Sequence, residues 1–373
     1  MSAISWCICG HEVQIFFPPN YFGRVVEPPI KFVGVTMDDN KRMRSTSHST
    51  HWQDPPVFII DTLLEIMGWQ SQWFLLERVC HSWLKMCMHC GGCRYADVPP
   101  RFALHVDERL QQFQRHHTQI QSLRLCLSKI NDIGLSILSS YQNLTTLDLT
   151  CCRHITDSGL EQISQLPLLT TLRLRHCRNL FKREDTASLS HLANLSTLTQ
   201  LDIATNPQMI SSHWQQLSTL RFVHTLDVSS SHHLTDDSIY TLSTMTQLRS
   251  LNLGLTHGLV GTPGLNHLSA LHQLQFLVLT ACRNLTDLSA LSDLSALVSL
   301  DLSICEAITD NQFRYLSPLP YLETLSLAGC TSLSIETLRF VTTLPSLTQL
   351  DITRCTFSIG TSIACSLRCA DLC

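Results

Sequence analysis

The sequence lacks the features that would direct the protein to a membrane or to nucleic acid. No apolar run in its 373 residues approaches the roughly 18 residues that cross a bilayer. Charged residues make up only 15% of the chain and the formal net charge is −4, which gives no electrostatic reason to expect nucleic acid or anionic lipid as a partner. The start, MSAISWCICGHEVQIFF, lacks the basic segment and the clean apolar segment of a secretion signal. We therefore expect no nucleic-acid partner, no membrane and no secretion.

Leucine, in contrast, is abundant and regularly placed. The stretch at 144–166, LTTLDLTCCRHITDSGLEQISQL, opens with the triplet L-x-x-L-x-L, whose alternation is typical of a short strand. Thr156 and Asp157 are of the types that cap helices, and Leu160 and Ile163 follow at helical spacing. Neither half can bury its apolar side alone, so each copy needs another beside it.

Ten such copies follow one another along the chain, at steps of 23 to 29 residues. The second leucine of the triplet recurs at Leu123, Leu147, Leu172, Leu201, Leu226, Leu251, Leu277, Leu300, Leu325 and Leu350. This period, with strand, turn and helix in each copy, predicts a leucine-rich-repeat solenoid. The expected fold is α/β: a right-handed horseshoe of about ten repeats, with a parallel concave sheet and convex helices.

Cysteine occupies one fixed repeat position, three residues after the third leucine. It stands there at Cys152, Cys177, Cys282, Cys305, Cys330 and Cys355, and is replaced by Ser128, Asn206, Ser231 and Thr256. Such spacing predicts a ladder of buried, free thiols and not disulfides, which favours a reducing compartment, cytoplasmic or nuclear. By this pattern the repeats resemble the cysteine-containing repeats of intracellular F-box/leucine-rich-repeat proteins.

The rest of the chain divides into three shorter parts. Residues 1–54 carry no period and are expected to form a disordered or irregular tail. Residues 55–93 show two apolar helical stretches, and residues 94–119 read as a linker and a cap for the solenoid. The repeats fill 120–373, and we expect a last helix near the end, where Cys365, Cys369 and Cys373 recur at helical spacing.

The segment 55–93 resembles an F-box. The residues that carry the resemblance are Pro56, Leu63, Met67, Leu76, Val79, Cys80 and Trp83. The V-C-x-x-W motif is the most specific part, while Phe58 stands where the family usually has an acidic residue. The resemblance implies that these residues bind a Skp-family adaptor, which joins the cullin and RING subunits of an SCF ubiquitin ligase.

Candidate chemistry elsewhere is limited. Cys80 and His81 are neighbours on a predicted helix, about 100° apart, so they form no ready nucleophile–base pair. Cys87, Cys90 and Cys93 have the spacing of zinc ligands, but Gly91-Gly92 equally favours a helix end, and no fourth ligand is evident. We predict no catalytic residue, no metal and no cofactor.

The outward-pointing strand residues are the candidate surface for a target protein. The substrate-binding candidates are Asp148, Arg173, Arg175, Asp202, Asp227, Phe276, Asp301 and Asp351. The aspartates could bind a basic segment, or they could simply belong to the L-D-L pattern of the repeat. The insertion FKREDTASLS near 181–190 is either a recognition loop or a solvated surface.

Together these features predict a non-catalytic receptor subunit of an SCF-type E3 ubiquitin ligase, monomeric outside the complex. Residues 55–93 would bind the adaptor and the solenoid a protein substrate. A stand-alone intracellular scaffold or inhibitor is the alternative. An enzyme with its own catalytic cysteine is the least favoured of the three.

Overall fold

The computed structural model describes residues 120–182, 188–256 and 262–355, together with the backbone of six isolated strands. Contacts divide the chain into two compact units, Met1–Cys93 and Arg94–Cys373. In the first, β1 (Ser2–Ile8) pairs antiparallel with β2 (His11–Phe17), and β3 (Val35–Met37) pairs antiparallel with β4 (Met43–Ser45). All of the F-box-like segment 55–93 lies outside the described residues.

The second unit contains a twelve-stranded sheet whose strands follow one another in chain order. Its first strand is β5 (Tyr95–Asp97) and its last is β16 (Ser366–Arg368). Between them lie β6 (Ser122–Arg124), β7 (Thr146–Asp148), β8 (Thr171–Arg173), β9 (Gln200–Asp202), β10 (Thr225–Asp227), β11 (Ser250–Asn252), β12 (Phe276–Val278), β13 (Ser299–Asp301), β14 (Thr324–Ser326) and β15 (Gln349–Asp351). These ten are the predicted repeat strands, all parallel and in register, which confirms the α/β leucine-rich-repeat solenoid.

Each end of the sheet carries one strand, β5 or β16, that the repeat pattern does not predict. At the front, β5 pairs parallel with β6, so part of the predicted linker and cap continues the sheet. At the back, β16 pairs antiparallel with β15, where we expected a helix. That expectation is wrong for Ser366–Arg368, because β15 presents a row of edge amides and carbonyls that a following extended segment can pair.

Six α-helices and four 3-10 helices form the return path of the repeats in the described part of the second unit. The α-helices are α1 (Asp132–Leu138), α2 (Asp157–Ile163), α3 (Ser211–Leu217), α4 (Asp236–Ser243), α5 (Thr262–Asn266) and α6 (Glu336–Val341). The 3-10 helices span Ser190–Asn194, His267–Ala270, Ser289–Asp293 and Asp310–Tyr315. The shortest repeat, from Leu277 to Leu300, returns through the 3-10 helix Ser289–Asp293.

The core is one continuous column of leucines running the length of the array. The triplet leucines Leu144, Leu147 and Leu149 are fully buried, as are their counterparts in neighbouring repeats. Burial of one such side chain stabilises the fold by about 1.5–3 kcal/mol. The stack of repeats therefore depends on the regular leucine spacing.

The cysteine position forms a second buried column, as predicted, and its thiols are free. Each thiol donates a hydrogen bond to the carbonyl of the third leucine in the preceding repeat. The Sγ–O distances are 3.1 Å (Cys152–Leu125), 3.2 Å (Cys177–Leu149), 3.5 Å (Cys282–Leu253), 3.2 Å (Cys305–Leu279), 3.1 Å (Cys330–Leu302) and 3.0 Å (Cys355–Leu327). Burial raises the pKa of Cys152 and of Cys330 to about 11, so both thiols stay protonated and able to donate at neutral pH.

Two repeats depart from cysteine in informative ways. Asn206 replaces the thiol with an amide that donates to two carbonyls, those of Leu174 and Ile203, both at 2.9 Å. Ser231 is buried too, and its hydroxyl has no hydrogen-bond partner in the described part of the chain. Ser231 is therefore a member of the column that makes no side-chain hydrogen bond to the preceding repeat.

Thr156 and Asp157, which were predicted to cap a helix, connect α2 to the neighbouring repeats. Thr156 makes no side-chain capping bond to α2. Its amide and hydroxyl instead donate to Asp132 of the preceding repeat, at 2.9 and 2.6 Å. Asp157 in turn accepts the amide of Phe181 at 2.7 Å. These polar residues of the turn therefore strengthen the stacking of the repeats.

One backbone position in every repeat has the left-handed conformation. It lies just before the cysteine column, with φ between 54° and 72°, at Leu127, Cys151, His176, Thr205, Ser230, Leu255, Ala281, Ile304, Gly329 and Arg354. Only Gly329 adopts this conformation without a steric penalty, because other residues crowd their Cβ there.

In the cysteine column, the side chain of Cys305 has a hydrogen-bond partner and that of Ser231 has none among the described residues, so substitution by alanine should affect stability differently at the two positions. Cys305→Ala should lower the free energy of unfolding by about 1–3 kcal/mol, since it opens a cavity and removes one of the two donors to the Leu279 carbonyl, the other being the Cys282 amide. Ser231→Ala should leave it unchanged or raise it by up to about 1 kcal/mol, because an unpartnered buried hydroxyl is removed. Urea denaturation followed by circular dichroism measures both; a larger loss at Ser231 would contradict the assignment.

The residues with left-handed backbone, one in each repeat and here called the left-handed column, predict a second pair of contrasting effects. Gly329→Ala should lower the free energy of unfolding by about 1 kcal/mol, because alanine is strained at this φ and its Cβ would meet Ile304. Ser230→Gly should leave the free energy of unfolding unchanged, since the relief of strain in the folded state offsets the greater entropy that glycine gives the unfolded chain. Thermal and urea unfolding of the two variants checks this, and equal losses would exclude backbone strain as the cause.

Candidate protein-binding surface

The outward side of β6–β15, here called the sheet face, carries three aligned columns of side chains. They are the first and third residues of each strand and the residue two positions further on. Because the strands are parallel and in register, equivalent residues of successive repeats lie side by side, as Asp202 and Asp227 do. The sheet face is therefore a continuous surface that crosses all ten repeats.

The aspartates of the L-D-L pattern have a structural task on this face. Each uses one carboxylate oxygen to accept the backbone amide two residues later. The Oδ1–N distances are 3.0 Å (Asp148–Thr150), 3.0 Å (Asp202–Ala204), 2.9 Å (Asp227–Ser229), 2.8 Å (Asp301–Ser303) and 2.9 Å (Asp351–Thr353). Asn252 makes the same bond to Gly254 at 2.9 Å. This gives the pattern a physical reason, since the side chain pairs an amide at the end of the strand.

Arg175 gathers two of the candidate aspartates into one cluster. Its Nε lies 3.3 Å from Oδ2 of Asp202, and its Nη2 lies 2.9 Å from Oδ2 of Asp227. The Asn252 amide donates to the same Asp227 oxygen at 3.0 Å. Burial raises the pKa of Asp202, and the charge of Asp227 raises it further, while Arg175 opposes both effects. The cluster holds two carboxylates with one cation, so its charge balance depends on Arg175.

A second charge cluster lies at the first repeats. Asp148 is flanked by Arg124 at 3.6 Å and Arg173 at 4.0 Å. Arg124 is not among the predicted site residues, although it occupies the same column as Asp148 and Arg173. Burial, followed by the nearby Asp148 carboxylate, raises the pKa of Cys126 to about 12, so this thiol is a poor nucleophile at neutral pH. The first five repeats therefore present arginines and aspartates that already pair with one another.

The last five repeats present a different surface. Phe276 on β12 is 46% exposed and lies between Ser250 and Ser299 of the adjacent strands. Asp301 accepts hydrogen bonds from Ser303 and from the Thr280 hydroxyl. In the three columns of these repeats, the sequence places only two charged residues, Asp301 and Asp351. This half of the sheet face is nearly neutral, and it carries the exposed aromatic ring.

The structure thus brings some predicted site residues together and keeps others apart. Arg175, Asp202 and Asp227 form one cluster and Asp148 with Arg173 another, whereas Phe276 and Asp351 belong to neither in the described contacts. All of the adaptor-binding candidates, Pro56, Leu63, Met67, Leu76, Val79, Cys80 and Trp83, lie outside the described residues.

The remaining predicted features fall partly outside the described residues as well. Cys87, Cys90 and Cys93 are not described, and within the described part no group of three or more possible metal ligands occurs. The described helices include none of the length and apolarity that a bilayer crossing requires. Of the insertion, 183–187 is not described, while Phe181 at its start is buried against His213, with ring centroids 5.3 Å apart.

Comparison with known proteins finds similarity in solved structures alone. No protein-family model matches the chain, and no curated protein matches it. The internalin InlF of Listeria monocytogenes is similar at 20% identity and a TM-score of 0.47, over 64% of this chain and 69% of that one. Internalin C2 of the same bacterium shares 23% identity, with a TM-score of 0.39, over 59% and 84% of the two chains. A plant peptide hormone receptor, RGFR1 in complex with RGF2, shares 18%, with a TM-score of 0.41, over 63% and 40%.

The Arg175 cluster predicts a pH-dependent loss of stability. Arg175→Met should lower the free energy of unfolding by about 1 kcal/mol at pH 7, a modest value because the guanidinium is 40% exposed. A carboxyl whose pKa is raised by folding adds stability below its unfolded pKa and loses that contribution as pH rises through the folded pKa. The loss should therefore be smaller in an acidic buffer than at pH 7, because protonation of Asp202, whose pKa is raised, removes one of the charges that Arg175 balances.

Urea denaturation at both pH values measures the effect. Arg249→Met is the matched control, because Arg249 is exposed and outside the cluster. A loss of the same size at both pH values would show that the two carboxylates do not depend on Arg175.

Proposed function

We propose that the protein is a non-catalytic receptor that binds a partner protein on its sheet face and attaches it to an SCF-type ubiquitin ligase. The observation that carries the first half is the sheet face itself. It crosses ten parallel strands, and its side chains point away from the leucine core, so their identity is free of the packing constraint. A repeated surface of this kind suits protein recognition, with the array as a rigid support.

The ligase half of the proposal rests on the sequence of residues 55–93. Pro56, Leu63, Met67 and the V-C-x-x-W motif resemble an F-box, and they directly precede the cysteine-containing repeats. In F-box/leucine-rich-repeat proteins this order joins an adaptor-binding element to a substrate-binding solenoid. The buried cysteine column, with its protonated thiols, fits the reducing cytoplasm or nucleus in which such complexes work.

The proposed mechanism is proximity. A target held on the sheet face would be presented to a ubiquitin-charged E2 enzyme carried by the RING subunit, which raises the effective concentration of the target's lysines. In this role the chain needs no catalytic residue and no cofactor. Its partners are a Skp-family adaptor, the cullin and RING subunits beyond it, and one protein substrate.

Co-purification with a Skp-family adaptor tests the ligase half. We expect the full chain to retain the adaptor, and Trp83→Ala to reduce retention by about tenfold or more, because the F-box resemblance implies that this aromatic side chain contacts the adaptor. Trp52→Ala, the same change just before the F-box-like segment, is the control and should retain the adaptor.

Absence of the adaptor from a folded wild-type chain would contradict ligase association. The protein would then be the stand-alone scaffold that shares the same sheet face. Circular dichroism and urea unfolding of the array establish that each variant is folded before the comparison is made.

A further inference from the structure

The left-handed column contains an apolar run over four successive repeats. It consists of Leu255, Ala281, Ile304 and Gly329, here called the apolar ridge. The backbone holds successive members close together, because the amide of one donates to the carbonyl of the residue just before the next. The Ala281 amide donates to Ser303 and the Ile304 amide to Ala328, both at 2.7 Å. Leu255 and Ile304 are 48% and 40% exposed, whereas Ala281 between them is buried. The two large side chains therefore flank a shallow notch whose floor is Ala281.

The ridge adjoins the neutral part of the sheet face. Across the repeat of β12, the outward residues are Phe276, Val278 and Thr280, followed by Ala281 of the ridge. Phe276 is exposed, and Gly254 in the preceding repeat contributes no side chain to the outer column. An exposed aromatic ring at one side and the notch at the other thus bracket an uncharged band.

The same column is polar or isolated elsewhere. The preceding positions are Cys151, His176, Thr205 and Ser230, and the exposed Leu127 stands alone at the first repeat. Single exposed leucines are common on protein surfaces, but contiguous apolar patches mark binding sites. The run from Leu255 to Gly329 therefore stands out by its continuity.

The two charged residues in the three columns of the last five repeats are both acidic. Asp301 lies in the central column beside Val278, and Asp351 follows two repeats later. One oxygen of Asp351 accepts the Thr353 amide, and the other has no hydrogen bond in the described part of the chain. No lysine or arginine occurs in these three columns. Arg354 occupies the left-handed column one repeat beyond Gly329, and Arg283, two residues after Ala281, pairs with Glu306 at 3.8 Å. A cationic group on a partner would be complementary to this surface.

We propose that the apolar ridge, Phe276 and Asp301 form the binding site for an extended segment of a partner protein that carries an apolar side chain next to a lysine or arginine. The apolar side chain occupies the notch over Ala281, and the cation lies toward Asp301 and Asp351. This names the class of target for the receptor proposed above and rests on that role for the sheet face. It does not depend on the adaptor.

The left-handed backbone provides variants that remove the ridge without damaging the fold. Leu255 and Ile304 both have φ of 58°, and Gly329 shows that glycine fits this position. Leu255→Gly combined with Ile304→Gly therefore deletes the walls of the notch while relieving strain. Thr205→Gly combined with Ser230→Gly makes the same backbone change in two repeats outside the ridge.

The experiment selects peptides from a displayed library of random sequences on the full-length wild-type chain. We expect enrichment of peptides with a leucine, isoleucine, methionine or aromatic residue close to a lysine or arginine. Fluorescence anisotropy with the enriched peptide should show binding about tenfold or more weaker in the ridge variant, and within about twofold of wild type in the control variant. Asp301→Asn should weaken binding several-fold and reduce its salt dependence.

Three outcomes would overturn the proposal: no enriched peptide, enrichment of acidic or purely polar peptides, or equal binding by wild type and the ridge variant. Adaptor co-purification of the ridge variant separates this test from the previous one. A ridge variant that retains the adaptor but loses the peptide supports the site, whereas loss of the adaptor in wild type contradicts only the ligase role.

Discussion

Each repeat buries backbone N–H and C=O groups that find their hydrogen-bond partners only in the neighbouring repeat. The structure depends on these bonds between repeats. The Leu149 amide donates to the Arg173 carbonyl at 2.8 Å, and the Cys177 thiol returns a hydrogen bond to the Leu149 carbonyl at 3.2 Å. A buried polar group without a partner costs about 1–3 kcal/mol, so a repeat taken alone would be unstable. The leucine core supplies most of the stabilisation, and these reciprocal bonds fix the register in which it stacks.

That arrangement leaves function to the residues it does not use. The leucines, the cysteine column and the Thr-Asp links all serve the stacking, and even the L-D-L aspartates pair a local amide before they face a partner. What remains differs between the two halves of the sheet face. The first half is occupied by ion pairs around Asp148 and Arg175, while the second offers Phe276 and the apolar ridge, with only acidic charges in its three columns. The second half is therefore the more favourable place for a partner.

The sequence predicts the repeats well because their signals are periodic, as the register of Leu226 with Leu251 shows. It predicts the buried thiols for the same reason. The strand at Ser366–Arg368 escapes prediction because a free sheet edge, not a local pattern, selects it. The Arg175 cluster could be found only once the register of the strands was known, since Asp202 and Asp227 are 27 and 52 residues from Arg175 in sequence. The ridge was missed because a left-handed backbone turns Leu255 and Ile304 outward at a position that the strand alternation does not describe.

Amide hydrogen exchange resolved along the chain tests the reciprocal stacking most directly. The amides of Leu174, Val228 and Leu302 donate to Asp202, Asn252 and Ser326 of the next repeats, at 2.7, 3.0 and 2.8 Å. Stacked repeats should protect all three, and protection should disappear together at the urea concentration that unfolds the array. Exchange of these amides at the rate of an unstructured peptide, while the helices remain protected, would contradict the account.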